Sequence, residues 1–299
     1  MRMAARIKLA AIGCSGGHVG DLFVREFLDR GVDLRVLARN PRDVARRHPR
    51  AEVIGGSLLN PAEVAAAVSG ADAAFAVTPA GARNSTALEI AAAEAIIAGA
   101  RQGGLKHLIY PSVLSPDRLK GPAILDSKYY VERLLAKSGL TCTVLRCGGF
   151  LQDILGNHRD EIRRGRFPFP FPAHRRFTFT SQPDVVRYVV DALSDRPDYL
   201  GRTMDFVAPG PFTIGEVAEI LAKARGGPVA LKGKFPSHYA LLARLPFDWL
   251  ANHKRSSSTP LIDWFIDNDC VGSGPTVGDL HPEFRMTTLE AFVPTLWSR

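Results

Sequence analysis

Along the first half of the chain, short apolar runs alternate with stretches whose apolar residues recur at helical spacing. "RIKLAAI" (6–12) is an apolar run of strand length. In 19–30 the apolar positions Val19, Leu22, Phe23, Phe27 and Leu28 share one face of a 3.6-residue period. "DLRVLA" (33–38) predicts a second strand, followed by a helix that starts at Pro41. "AEVIGG" (51–56), "ADAAFAVTP" (71–79), "KHLIYPS" (106–112) and "LTCTVLR" (140–146) predict four more strands. Helices are expected near 61–68, 85–101 and 124–138, several closed by a glycine: Gly70, Gly99 or Gly103, and Gly139. Strands alternating with helices build βαβ units, so the expected fold is α/β, a Rossmann-type doubly wound parallel sheet with helices on both faces.

Near residue 150 the rhythm changes. "GRFPFPFPAHRRFTFTS" (165–181) is rich in proline and aromatics and predicts loops and short extended pieces. Helix resumes at 183–195, a strand follows at "TMDFVA" (203–208), and a further helix at 213–224 starts on Thr213 with Glu216 at capping-box spacing. Residues 233–265 are irregular and carry Phe235, Tyr239, Phe247, Trp249, Trp264 and Phe265. The expected division is a Rossmann domain over 1–150 and a smaller α/β substrate subdomain over 151–299, packed as one unit, with sharing of sheet elements between them left open.

The composition, 46% hydrophobic and 23% charged, is that of a globule and excludes a disordered or fibrous chain. Cys14, Cys142, Cys147 and Cys270 show no zinc or disulfide spacing, so no metal site is expected and the thiols read as reduced. The N-terminal apolar run breaks at Gly13, too early for a signal segment, and no run approaches the ~20 apolar residues of a membrane span; a cytoplasmic protein is expected. The net charge of +8 is concentrated at 46–50 and 163–176 without any nucleic-acid-binding signature, and reads as a solvated basic surface.

Between the first strand and the first helix lies "GCSGGHVG" (13–20). Glycines there allow a sharp turn and let a phosphate approach the backbone at the positive end of a helix. Gly13, Gly16, Gly17 and Gly20 suit that task, with Ser15, His18 and Val19 between them; the turn is one residue longer than G-x-x-G-x-x-G. At the end of the second strand, where an acidic residue would accept from the ribose of NAD, the chain has Arg39, with Arg42 close behind. A guanidinium fork suits a 2′-phosphate, so NADP(H) is expected over NAD(H).

These segments, together with "LARNP", the 55–79 stretch, "ARQGGLKHLIYPSV", "SKYYVERLLAKSGLTCTVLRCGGF", "TSQPDVVRYVVDAL" and "FTIGEVAEILAKARGGPV", resemble the NmrA-like family of atypical short-chain dehydrogenases over about residues 6–230. The resemblance implies an NADP-preferring Rossmann domain with a cleft beside a small C-terminal subdomain. Its members include quinone and aromatic-compound reductases and cofactor-binding regulators that perform no turnover. It further implies that Val77, Thr78 and Pro79 lie along the adenosine and nicotinamide ribose, that Ser57 and Leu58 lie near the adenine, and that Cys147, Gly148, Gly149 and Phe150 line the nicotinamide pocket.

Short-chain reductases pair a tyrosine with a lysine four residues on along one helix. Here Lys128 has Ile124 at the tyrosine's place, so that pair is incomplete. Lys128 matches the family's helix lysine and is expected to hold the nicotinamide ribose, while Ser112, at the carboxyl edge of the fifth strand, orients a substrate oxygen. Of the two tyrosines beside Lys128, Tyr130 is expected to pack and Tyr129 to be partly exposed. The expected activity is NADPH-dependent hydride transfer to a quinone-like or other planar aromatic molecule. The alternative is a non-catalytic NADP(H)-sensing regulator with a protein partner; a homodimer is left open, and neither nucleic acid nor membrane is an expected partner.

Overall fold

The computed structural model describes residues 7–79, 85–114, 123–169, 171–231 and 264–298. The six apolar runs form strands and the periodic stretches between them form helices. In order these are β1 (Lys8–Ile12), α1 (Gly17–Asp29), β2 (Asp33–Ala38), α2 (Pro41–Arg47), β3 (Glu52–Gly55) and α3 (Pro61–Val68). They continue as β4 (Ala73–Ala76), α4 (Ser85–Gln102), β5 (His107–Val113), α5 (Ala123–Lys137) and β6 (Thr141–Cys147). The later chain gives β7 (Gly149–Phe150), α6 (Arg159–Arg163), β8 (Arg166–Phe167), β9 (Arg176–Phe177), β10 (Phe179–Thr180) and α7 (Gln182–Ser194). After these come β11 (Thr203–Phe206), β12 (Phe212–Thr213), α8 (Ile214–Arg225), β13 (Ala230–Leu231), α9 (Val277–Leu280) and α10 (Leu289–Phe292).

The main sheet has the order β3-β2-β1-β4-β5-β6-β11 with every pair parallel, the Rossmann-type doubly wound arrangement. Strand alternation splits β1 between two cores: Leu9 and Ala11 face one side, Ala10 and Ile12 the other. The first core receives Phe23 and Phe27 of α1 and Val185 and Tyr188 of α7. The second receives α3, α4 and α5 through Val64, Ile96 and Val131. Sequence order reverses between β1 and β4, and that switch point is where open α/β sheets hold ligands beyond their carboxyl edge.

Gly99 lies inside α4 rather than closing it. A Cβ there would collide with the Pro61 carbonyl and Val64, so this glycine lets α3 and α4 approach closely. The expected capping box holds α8: Thr213 Oγ1 accepts from the Glu216 N–H, and the Thr213 N–H donates to the Glu216 carboxylate at 2.7 Å.

Beyond residue 150 the chain divides between two places. β11 joins the main sheet beside β6, pairing Thr203 with Val144 and Phe206 with Cys147, and α7 fills the core under α1. The other pieces surround a third core of Phe167, Phe169, Phe171, Phe177 and Phe179 with α8 and α10. The proline–phenylalanine run is therefore the core of the small lobe. Phe265 packs on Phe171 and Phe177 with ring centroids 5.4 and 5.2 Å away, whereas Phe235, Tyr239, Phe247 and Trp249 lie outside the described residues. Both basic clusters are laced with acids: Arg47 with Asp43, Arg166 with Glu161, Arg176 with Asp269. Among the described residues no helix is long and apolar enough to cross a membrane.

Candidate functional site

The turn after β1 is built around two glycines that have no alternative. Gly13 has φ +75°, and a Cβ on it would overlap the Val77 carbonyl at the carboxyl edge of β4. Gly20 sits against the Cys14 backbone, where a Cβ would press at 2.9–3.0 Å. The glycine that looked like an extra residue thus clamps α1 onto the turn. Gly16 and Gly17 face open space, with no atom within 4 Å of a Cβ built on either.

Helix α1 begins there without a side-chain cap and without an acid in its first turn. The contrast is with α2, α3 and α8, which are capped by Asn40, Asn60 and Thr213. The first-turn N–H groups of a helix have no intrahelical acceptor, and the dipole makes that end positive. An uncapped, glycine-lined helix start is a seat for an anion.

It opens on a cavity of about 970 Å³ along the carboxyl edge of the sheet, at the upper end of the ~300–1,000 Å³ usual for small-molecule sites. From the turn, Gly13, Ser15, Gly16, Gly17 and Val19 line it. Arg39 follows after β2, Ser57 and Leu58 after β3, and Val77, Thr78 and Pro79 after β4. Ser112, Lys128 and Phe150 complete the far wall. The His18 side chain lies outside the described residues.

Cys147, Gly148 and Gly149 do not line the cavity. Cys147 ends β6 on the core side, 5% exposed, and burial pushes its thiol well above the usual range. Gly148 abuts the Thr178 carbonyl and donates its N–H to Thr180 Oγ1 at 2.8 Å, while Gly149 pairs with Phe179 in the β7–β10 ribbon. Those glycines serve backbone approach within the small lobe. Tyr130, expected to pack, is 46% exposed and Tyr129 is the half-buried one, because the α5 face carrying Ser127 and Lys128 turns inward.

Arg39 is exposed on the cavity rim, and among the described residues it has no ion-pair partner. The helix behind it is tied to the glycine turn by Arg47, which in the sequence read only as part of the basic cluster at 46–50. Arg47 donates to the Ser15 carbonyl at 2.9 Å and to Asp43 at 3.1 Å, and pairs with Asp21 of α1. The two ends of the rim are thereby held together.

The floor is a closed polar cluster assembled from four elements. Lys128 Nζ of α5 donates to Glu89 Oε1 of α4 at 2.6 Å, to Tyr110 Oη of β5 at 2.9 Å and to Thr78 Oγ1 after β4 at 3.0 Å. Thr78 and Ser127 hydroxyls donate to the two oxygens of Glu89, which is fully buried. Burial alone would lower the Lys128 pKa; the facing Tyr110 and the Glu89 carboxylate outweigh it and hold the ammonium above its ordinary range. Burial raises the Tyr110 hydroxyl against the pull of Lys128. An ammonium has three donors, and all three are engaged, so a ligand oxygen gains one only by displacing an internal partner. Of those partners only Thr78 itself lines the cavity.

Ser112 is the opposite case. It is 4% exposed, it lines the cavity, and among the described residues its Oγ has no hydrogen-bond partner. Asp153 reaches the same cavity from a π-helical turn, Gln152–Gly156, whose irregular period left no mark in the sequence. Away from the cavity Asp198, His281 and Glu283 come together, but Arg196 pairs with both acids and supplies the cation there.

The profile of the NmrA-like family matches residues 7–248. Among curated relatives, photosystem II assembly factor Ycf39 of Synechocystis is 24% identical over 59% of this chain and 56% of its own length. NAD(P)H azoreductase of Xenophilus azovorans is 24% identical over 71% of this chain and 72% of its own. This chain spans little more than half the length of the first relatives it matches. Among solved structures, the Escherichia coli NADPH-dependent quinone oxidoreductase QOR2 in complex with NADPH superposes with TM-score 0.70 at 19% identity, over 97% of this chain and 100% of that one. Citrobacter triphenylmethane reductase gives 0.75 at 16% identity, over 98% and 100%.

Proposed function

This chain belongs to the NmrA-like family, and on that footing we propose that it is an NADPH-dependent reductase of quinone-like or other planar aromatic molecules. The observation that carries the reading is the single cavity that joins an uncapped glycine turn at one end to an orphaned, buried serine hydroxyl at the other. The donor set fits a nicotinamide dinucleotide: free backbone N–H groups for the diphosphate, a rim guanidinium for a 2′-phosphate, and hydroxyls deeper in. The names of the azoreductase and quinone oxidoreductase relatives point the same way.

In this reading Gly13, Ser15, Gly16 and Gly17 hold the diphosphate, Arg39 the 2′-phosphate, and Ser57 and Leu58 flank the adenine. Val77, Thr78 and Pro79 form the wall along the ribose, with Lys128 as the fixed cation beneath it. The bound cofactor supplies a hydride. Ser112 donates its unpaired hydroxyl to the substrate oxygen, and Phe150, with Phe23 behind it at 6.0 Å between centroids, offers an apolar face to a flat ring. With Ile124 at the place of the tyrosine four residues before Lys128, the product's proton comes from water, which suits an electron-poor acceptor for which positioning supplies most of the acceleration.

Steady-state oxidation of NADPH over a panel of quinones, azo compounds and triphenylmethane dyes tests the proposal. Turnover abolished by Gly13→Ala supports it; tight NADPH binding with no turnover on any acceptor contradicts it. That second outcome favours a cofactor-responsive regulator or assembly factor, a reading supported by the fully engaged Lys128 and by the Ycf39 relatives.

A further inference from the structure

Glu89 is a fully buried carboxylate, 0% exposed, contributed by a helix otherwise rich in alanine. A carboxylate left alone in such a place is very costly, and so is an ammonium. Here each answers the other. Lys128 Nζ is fixed in three directions by Glu89, Tyr110 and Thr78, and Glu89 in turn accepts from Thr78 and Ser127. Only Lys128 and Thr78 of this set reach the cavity. Tyr110 and Glu89 stand behind them, the tyrosine hydroxyl 2.9 Å from Nζ and the ammonium also 5.0 Å from its ring centroid.

We propose that Glu89 and Tyr110 are positioning residues for Lys128, standing in from α4 and β5 for a tyrosine at the place that Ile124 occupies four residues before it: Glu89 keeps the lysine charged and Tyr110 fixes where the charge sits beneath the cavity. The groups around Nζ from every packed element support this. They are Glu89 on α4, Tyr110 on β5, the neutral Thr78 after β4, the Cys147 thiol at the end of β6, and Asp153 across the cavity. Of the acids among them, only Glu89 contacts the ammonium. Without Glu89 no carboxylate faces the ammonium, and burial, which favours the uncharged amine, is opposed only by the hydroxyls of Tyr110 and Thr78.

The consequence for a bound dinucleotide rests on the function proposed above, but the first test does not. Glu89→Gln and the wild type are compared by melting temperature from pH 7 to pH 10. In the wild type the folded-state pKa of Lys128 lies above its unfolded value, so its contribution is intact below about pH 10 and is lost only at higher pH. In Glu89→Gln the folded value lies below the unfolded one, so stability rises with pH between the two. The expected result is a variant about 6–12 °C less stable at pH 7 whose deficit shrinks steadily toward pH 10. A deficit independent of pH overturns the proposal.

If Glu89→Gln does not fold, the double variant Glu89→Gln/Lys128→Met removes the stranded charge and is expected to restore folding. A double variant as damaged as the single one overturns the proposal equally. Glu89→Asp is expected to keep Lys128 charged and to show no pH-dependent deficit.

The second test reads the cofactor. NADPH affinity of the wild type is expected to stay flat from pH 7 to 9.5, and that of Glu89→Gln to fall about tenfold over the same range. Tyr110→Phe, which keeps the charge but removes the hydroxyl that fixes its position, is expected to give a flat profile with NADPH bound several-fold more weakly. Failure of the wild type to bind NADPH would sink the proposed function while leaving the melting comparison to decide the role of Glu89.

Discussion

The two ends of the cavity solve opposite problems. At the glycine turn the backbone is left unsatisfied: α1 starts without a cap, Gly16 and Gly17 face open space, and Arg39 stands on the rim without a partner among the described residues. At the floor nothing is left over, since every donor of Lys128 and both oxygens of Glu89 are engaged inside the protein. Open donors bind what arrives from solution; closed ones fix a charge in place. Ser112, buried and unpartnered, belongs with the first class although it sits near the second. The difference separates residues expected to govern affinity from residues expected to govern stability and charge state.

Gly13→Ala should break the open end most severely. The position combines φ +75° with a collision against the Val77 carbonyl, so the turn and the β4 edge cannot keep their spacing. NADPH affinity measured by calorimetry is expected to fall by a factor of a hundred or more. Gly16→Ala, at an extended φ of −159° with open space around it, is the control: the fold tolerates it, and any loss is confined to the ligand.

Arg39→Asp comes next. Titration with both coenzymes should show NADP weakened at least tenfold and NAD nearly unchanged, since one charged hydrogen bond is worth about 1.5–3 kcal/mol. Equal loss for the two would remove Arg39 from the 2′-phosphate.

Ser112→Ala is a smaller effect, and its sign pattern is the informative part. Deleting a buried hydroxyl that has no partner should leave the melting temperature unchanged or slightly higher. Catalytic efficiency should drop about five- to tenfold, the worth of one neutral hydrogen bond at about 1 kcal/mol. Smallest of all is the response of the buried thiols. Burial pushes Cys14 up to about 12 and Cys147 higher still, so neither should alkylate in the native protein at pH 8, and blocking reagents should leave activity unchanged.

The open end was legible in the sequence and the closed end was not, for a physical reason. A strand, a glycine turn and a helix are consecutive, so local spacing reveals them, and the predicted strands and helices of the first half lie within a few residues of the observed ones. The floor joins residues 78, 89, 110, 127 and 128 from four elements, and only Thr78 and Lys128 were marked in the sequence, both by the family resemblance. Glu89 had a local signal that went unused. It shares a stripe with Ala92, Ala93 and Ile96, all buried, whereas Glu94 points outward; a carboxylate on an apolar stripe implies a buried cation. The placement of "TMDFVA" as the seventh strand of the main sheet, and the inward turn of Cys147, depended on β6 having a neighbour that no local pattern specifies.

The claim beneath the whole account is that the uncapped start of α1 seats the diphosphate of a nicotinamide dinucleotide. Its most direct test is a thermal-shift titration with NADPH, in the wild type and in Gly13→Ala. A ligand at a hundred times its Kd stabilises the native state by about 2.7 kcal/mol, so the wild-type melting temperature should rise by about 5–10 °C and that of the variant should not move. A wild-type melting temperature that stays constant at every NADPH and NADH concentration would contradict the account.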